Sequence, residues 1–133
     1  MSQRSDIETV EAAYRALTAG DLHGLLDLIH PDVRVYHAAK DVPWGGVYDG
    51  IEEFKEFLGR VAGAMDSTLE MDAVFEAGER VVGVGRAHGT LRANGAPFDA
   101  REVNVWHVRD GKILTFEVYL DAPVLRAALA KQS

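Results

Sequence analysis

Apolar positions recur along the chain at two periods, and the change of period marks its organisation. Ser5-Asp6-Ile7-Glu8 has the S-x-x-E spacing of a capping box. Behind it Ile7, Val10, Tyr14 and Leu17 recur at helical period as far as Gly20. Asp21 can cap a second short helix striped by Leu22, Leu25, Leu26 and Ile29 and stopped by Pro31. Residues 33–38 read as a strand, with Val33, Val35 and His37 on one face and Arg34 and Tyr36 on the other. Asp49 opens a third helix that turns Ile51, Phe54, Leu58, Val61 and Met65 inward. From there the period becomes two: Leu69, Met71, Ala73 and Phe75 alternate with Glu70, Asp72 and Glu76. A glycine-rich strand pattern over 81–92, a turn at Asn94-Gly95, and two long strands within 98–121 follow. Pro123 starts a short, frayed C-terminal helix. Helices first and strands afterwards, with hairpin-length links, predict an α+β fold with a mostly antiparallel sheet in a single domain over 1–133.

The last two strands carry the informative irregularity. Glu102 and Asn104 interrupt an otherwise β-branched and aromatic run, and buried polar groups need partners or a cavity. Which way they face depends on the turn at Arg109-Asp110-Gly111. A two-residue type I′ turn pairs Asn104 with Glu117 and Glu102 with Tyr119. A three-residue loop with Gly111 in the left-handed region pairs Asn104 with Phe116 and Glu102 with Val118. A slip of one residue turns every side chain over. The pattern favours the first register, which matches Val103 to Val118 and Val105 to Phe116.

Composition narrows the classes. Among 133 residues, 21 acidic against 14 basic side chains give a net charge of −7. That argues against a nucleic-acid or anionic-membrane surface. The absence of cysteine excludes disulfides and thiolate metal sites. The five histidines show no H-x-x-x-H pair, and Gly83-x-Gly85 lies in a strand pattern without a following helix, so neither a metal nor a phosphate-binding cofactor is expected. MSQRSDIE runs straight into a capped helix and no apolar run has membrane-spanning length, so a cytoplasmic protein is expected. The loop 39–50 holds Trp44, Val47 and Tyr48 beside Gly45 and Gly46, too much aromatic surface for a loop that covers nothing.

The order helix, helix, strand, aromatic loop, helix, four strands resembles the cone-shaped fold of nuclear transport factor two. More narrowly it is similar to the SnoaL-type polyketide cyclase branch, near the steroid Δ-isomerases and limonene-epoxide hydrolases. The residues that carry the likeness are Tyr14 through Ala19-Gly20-Asp21, His30-Pro31-Asp32-Val33, Val47-Tyr48-Asp49-Gly50 and Trp106 through Asp110-Gly111-Lys112-Ile113. The resemblance implies a curved sheet wrapped round the N-terminal helices and enclosing a pocket open at one end. It also implies the three-residue loop, which turns Glu102, Asn104 and Trp106 toward the pocket with Phe116, Val118 and Leu120.

Roles follow from the resemblance residue by residue. The isomerases' carboxylate base falls at His37, and their oxyanion-donating acid at Asn104. Their helical tyrosine falls at Ala13, one step from Tyr14, so the isomerase set is not present as such. The epoxide hydrolases' last-strand aspartate falls at Val118, which argues against that activity. The expected function is a small cofactor-free enzyme moving a proton, in an isomerisation or aldol-type cyclisation, on a small apolar carbonyl compound. His37 would be the base, Asn104 the oxyanion donor and Glu102 their support. Tyr14, Trp44, Tyr48, Trp106, Phe116 and Val118 would shape the pocket. The alternative is a non-catalytic binding or dimerisation domain of the same fold. A homodimer is expected through the outer sheet face, with Val103, Val105, Ile113 and Tyr119 among Arg101, Thr115 and Glu117.

Overall fold

A computed structural model of the chain describes residues 5–39 and 42–131. The opening residues 1–4 and the loop residues Lys40 and Asp41, used in the sequence reading, lie outside the described residues. Helix α1 (Asp6–Ala19) starts on the expected capping box: the Glu8 amide donates to Ser5 Oγ, and Glu8 Oε1 accepts from the Ser5 amide at 3.1 Å. Gly20, at φ 67°, ends it by donating to the Ala16 and Leu17 carbonyls. Helix α2 (Leu22–Leu26) is capped by Asp21, which accepts from the Gly24 amide at 2.9 Å.

Strand β1 (Ile29–His37) begins earlier than the pattern suggested and absorbs Pro31 through an irregularity between Ile29 and Arg34. The aromatic loop contains a short strand, β2 (Gly46–Asp49), which runs into α3 (Gly50–Ala64). Then come β3 (Met65–Ala77), β4 (Arg80–Leu91), β5 (Pro97–Arg109), β6 (Lys112–Leu120) and α4 (Ala122–Leu129). All six strands form one sheet in the order β2-β1-β6-β5-β4-β3, antiparallel except for β1 beside β6. Helix α4 is docked rather than frayed. Leu125 and Ala128 are buried, and the Asn94 amide donates to the carbonyls of Ala128 and Lys131.

Two bulges decide which side chains face inward. The β5–β6 turn is of the two-residue kind, with Arg109 opposite Lys112 and both Asp110 (φ 53°) and Gly111 (φ 76°) in the left-handed region that a type I′ turn requires. The three-residue loop is therefore not formed. An extra residue at Leu114 then shifts the ladder, so that Trp106 faces Phe116, Asn104 faces Val118 and Glu102 faces Leu120. The inward face is thus the one the resemblance implied, reached with different partners. Ile113 lies before the bulge and is fully buried, so it is not part of the outer face where it was expected. In β3 an extra residue at Asp72 breaks the alternation in the same way: Leu69, Met71 and Val74 pack inward, while Phe75 is 45% exposed.

Glycines on β4 let other groups close in on the sheet. A Cβ at Gly85 would lie 2.0 Å from the Glu70 carbonyl oxygen, so only glycine admits β3 this near. At Gly83 the intruder would be the Tyr14 hydroxyl, 2.1 Å away, which makes this glycine the seat of α1 on the sheet. Gly83→Ala should therefore destabilise the fold by about 2 kcal/mol or more, through overpacking and displacement of a buried hydroxyl. Tyr14→Phe removes the nearest colliding atom and leaves the ring carbon 2.9 Å away, so denaturation of the double variant should show a cost below the sum of the singles. Strict additivity would mean that the helix is not seated there.

Candidate active site

Three buried polar contacts run across the inner face of the sheet. Trp106 donates its indole N–H to the Tyr14 hydroxyl at 2.9 Å, Tyr14 donates to Asn104 Oδ1 at 2.7 Å, and Asn104 Nδ2 donates to Glu102 Oε2 at 2.8 Å. The direction of the first bond is fixed, because an indole can only donate. Tyr14 accepts from Trp106 and gives its proton to Asn104, and the Asn104 amide faces Glu102. The Tyr14 ring stands edge-on to Trp106 at 5.2 Å, and Trp106 stacks on Phe116 at 4.1 Å. Burial pushes the ionisation of Tyr14 well above the usual phenol range, so its hydroxyl keeps its proton.

Glu102 ends this series. Burial raises its carboxyl above the ordinary glutamate range, with the Asn104 amide pulling the other way. Among the described residues no other side chain bonds to it, and it lines a cavity of about 480 Å³. The size suits a small organic molecule. Trp44, Phe57, Phe98, Phe116 and Val118 supply apolar wall.

His37 also lines this cavity, 1% exposed, where burial depresses its pKa to about 4. Its surroundings are unusual. The Ala39 amide donates toward Nδ1 at 3.3 Å, and the Trp44 indole N–H donates toward Nε2 at 3.2 Å. A neutral imidazole has one lone pair and one N–H. Whichever tautomer forms, one donor meets that N–H instead of an acceptor, and the ring proton has no acceptor among the described residues.

Most of the residues singled out from the sequence converge here, in different positions from those expected. His37, Val118, Asn104 and Gly83 form one row across β1, β6, β5 and β4, which puts the His37 and Asn104 backbones roughly 10 Å apart. Asn104 nonetheless does not border the cavity; it is fully buried, with its oxygen on Tyr14 and its amide on Glu102. Trp106 and Tyr48 sit behind the wall. Tyr48 donates to the Trp44 carbonyl at 2.9 Å and packs on Phe57 at 5.0 Å, which fixes the aromatic loop. Tyr14 borders instead a shallower hollow of about 340 Å³ beside Leu69 and Met71. Phe57, Phe98 and Arg92 line the main cavity without having been singled out. Phe57 was legible, three residues after Phe54 on the same helix. No three described histidine, aspartate or glutamate side chains gather into a metal-binding set, and no described helix is long and apolar enough to cross a membrane.

The comparisons agree with this fold. The model of the SnoaL-like domain matches residues 10–116. An NTF2-like protein from Burkholderia thailandensis is 30% identical, with a TM-score of 0.87 over 98% of this chain and all of that one. TerC, co-crystallised with polyporic acid, is 29% identical over 94% of this chain and 98% of its own, with a TM-score of 0.83. IdmH from Streptomyces antibioticus, a candidate polyketide cyclase, shares the fold at 24% identity and a TM-score of 0.74 over 96% of this chain and all of its own. No curated protein matches. Family model and fold agree, and the chain belongs to the SnoaL-like domain family on the NTF2-like α+β scaffold.

Proposed function

We propose that this chain is a cofactor-free enzyme that moves a proton on a small apolar carbonyl compound, in an isomerisation or an aldol-type cyclisation. The observation that carries the reading is a desolvated carboxyl, Glu102, and a histidine N–H without a protein acceptor on the wall of one apolar cavity. The roles differ from those the resemblance implied. His37, with a pKa near 4, is too weak a base to hold a substrate proton near neutral pH. As a neutral imidazole it suits the other task, donating its N–H to the carbonyl oxygen as negative charge develops there. Glu102, whose carboxyl burial raises above the ordinary glutamate range, is the better base. It removes a proton from the carbon next to the carbonyl and returns it to a second carbon, or holds it while the enolate carbon attacks an internal carbonyl and then gives it to the alkoxide so formed. Asn104 touches no substrate in this scheme; it is a positioning residue that orients Glu102, with Tyr14 and Trp106 behind it.

A second reading, a non-catalytic binding domain, is favoured by the same His37 contacts if the two protein donors keep the ring from a ligand. Catalysis separates the two. The α-hydrogens of 2-tetralone in D₂O, followed by proton NMR, should exchange faster with the wild-type protein than in buffer. Glu102→Gln should reduce that acceleration by about 10²–10⁴-fold and leave affinity within roughly tenfold, or about 1.4 kcal/mol. A ketone that binds but exchanges no faster than in buffer favours the binding domain.

The protonation states also make a stability prediction. The His37 pKa falls from 6.5 to about 4 on folding, so its contribution is complete above pH 6.5 and lost as pH falls toward 4. Glu102 acts with the opposite sign: its raised folded pKa contributes most below the ordinary glutamate pKa, and that part fades as pH rises. His37→Gln should flatten the acid-side loss by roughly 3 kcal/mol between pH 6.5 and 4. Parallel pH profiles for the two proteins would contradict a desolvated His37.

Assembly belongs to the same proposal. The outer sheet face carries Val82, Val84, Val103 and Val105, half-buried, with Phe75 and Tyr119 exposed. A symmetric homodimer packed through this face would cover it. Sedimentation at micromolar concentration should show a dimer that Val103→Glu breaks; a wild-type monomer would remove this part of the reading.

A further inference from the structure

Among the described residues the cavity has one arginine or lysine on its wall, Arg92, and its stem is anchored while its charge is unpaired. Arg34, Arg60 and Arg86 each pair with a carboxylate. Arg92, just past the end of β4, pairs with none among the described residues, as is also true of Arg15, Arg80, Arg101 and Arg109, but of these it alone lines the main cavity. It is nevertheless held. Its Nε donates to the Ala62 carbonyl at 2.8 Å and its backbone N–H to the Ala64 carbonyl at 2.9 Å, both at the C-terminal end of α3. These bonds anchor the stem and leave the two terminal nitrogens, the fork that grips a carboxylate, without a counter-ion. Asp66 also borders the cavity but makes no ion pair with Arg92.

The position of Arg92 relative to Glu102 defines what could span them. Glu102 lies opposite Gly85 in the β4–β5 ladder, seven residues before Arg92, which is on the order of 20 Å of strand before the side chains shorten the gap. Phe98 and Phe116 line the same cavity, so the space offered between the two polar ends is apolar. A charge bound that far from the reacting carbon contributes recognition and orientation rather than chemistry.

We propose that the cavity takes an elongated apolar carboxylate, its acid gripped by Arg92 at the rim and its carbonyl directed inward to His37 and Glu102, with Arg92 setting this preference. The inference rests on the reading of the cavity as a carbonyl-compound site and adds the substrate's second functional group. A pair of probes of equal shape tests it: 4-biphenylcarboxylate and the neutral ketone 4-acetylbiphenyl, titrated at pH 7 with tryptophan fluorescence as the signal, since Trp44 lines the cavity. The wild-type protein should bind the carboxylate at least about tenfold more tightly, with the margin shrinking as salt is added. Arg92→Gln should erase the margin by weakening the carboxylate alone, and Arg109→Gln, at the β5–β6 hairpin, should change neither. Equal binding of the two probes by the wild type, or a preference that survives Arg92→Gln, overturns the role of Arg92 and leaves the cavity reading standing. Binding of neither probe overturns both.

Discussion

The structure depends on placing four polar groups, from Trp106, Tyr14, Asn104 and Glu102, in an interior that otherwise excludes water. Each is satisfied by the next, and the series begins at a group that can only donate. Such a network is stable only when complete, because deleting one member leaves its neighbours desolvated and unpaired. It ties α1 to β5, requires glycine at position 83 of β4, and ends on a carboxyl held at a cavity wall. Scaffold and site are therefore one construction: the contact that seats the helix also aims Glu102.

This arrangement underlies the proposed reassignment of roles among His37, Asn104 and Glu102. Asn104 faces inward, yet it is fully buried between Tyr14 and Glu102 and does not border the cavity. His37 also faces inward, but burial lowers its basicity while two protein donors compete for its single lone pair. In the proposed scheme basicity then resides on Glu102, and hydrogen-bond donation on His37.

Much of the fold was legible because its elements obey simple periods. The capping box of α1, the stripe of α3 and the alternation of β1 that turns His37 inward all appear in the structure. The bulges were not legible. The single extra residues at Leu114 and Asp72 have no compositional mark, and each inverts the parity of everything beyond it. Ile113 and Phe75 were misplaced for that reason alone. The site was legible as a set of residues and not as a set of roles. Roles depend on which neighbour takes each lone pair, and Tyr14 meets Asn104 across ninety positions of sequence. Arg92 was missed because a charged residue at a strand end is ordinary until the stem of its side chain is seen anchored and its fork unpaired.

The central claim is that Glu102 is a carboxyl whose proton affinity is raised by burial and whose orientation is set by Asn104. Carbon-13 NMR of protein labelled at the glutamate side-chain carboxyl, with Glu102→Gln to assign the resonance, measures this directly. The account predicts a Glu102 midpoint above the ordinary glutamate value of about 4.3, and a further change in that midpoint when Asn104→Leu removes the amide. A Glu102 resonance that titrates at the ordinary value, and does so whether or not Asn104 is present, would contradict it.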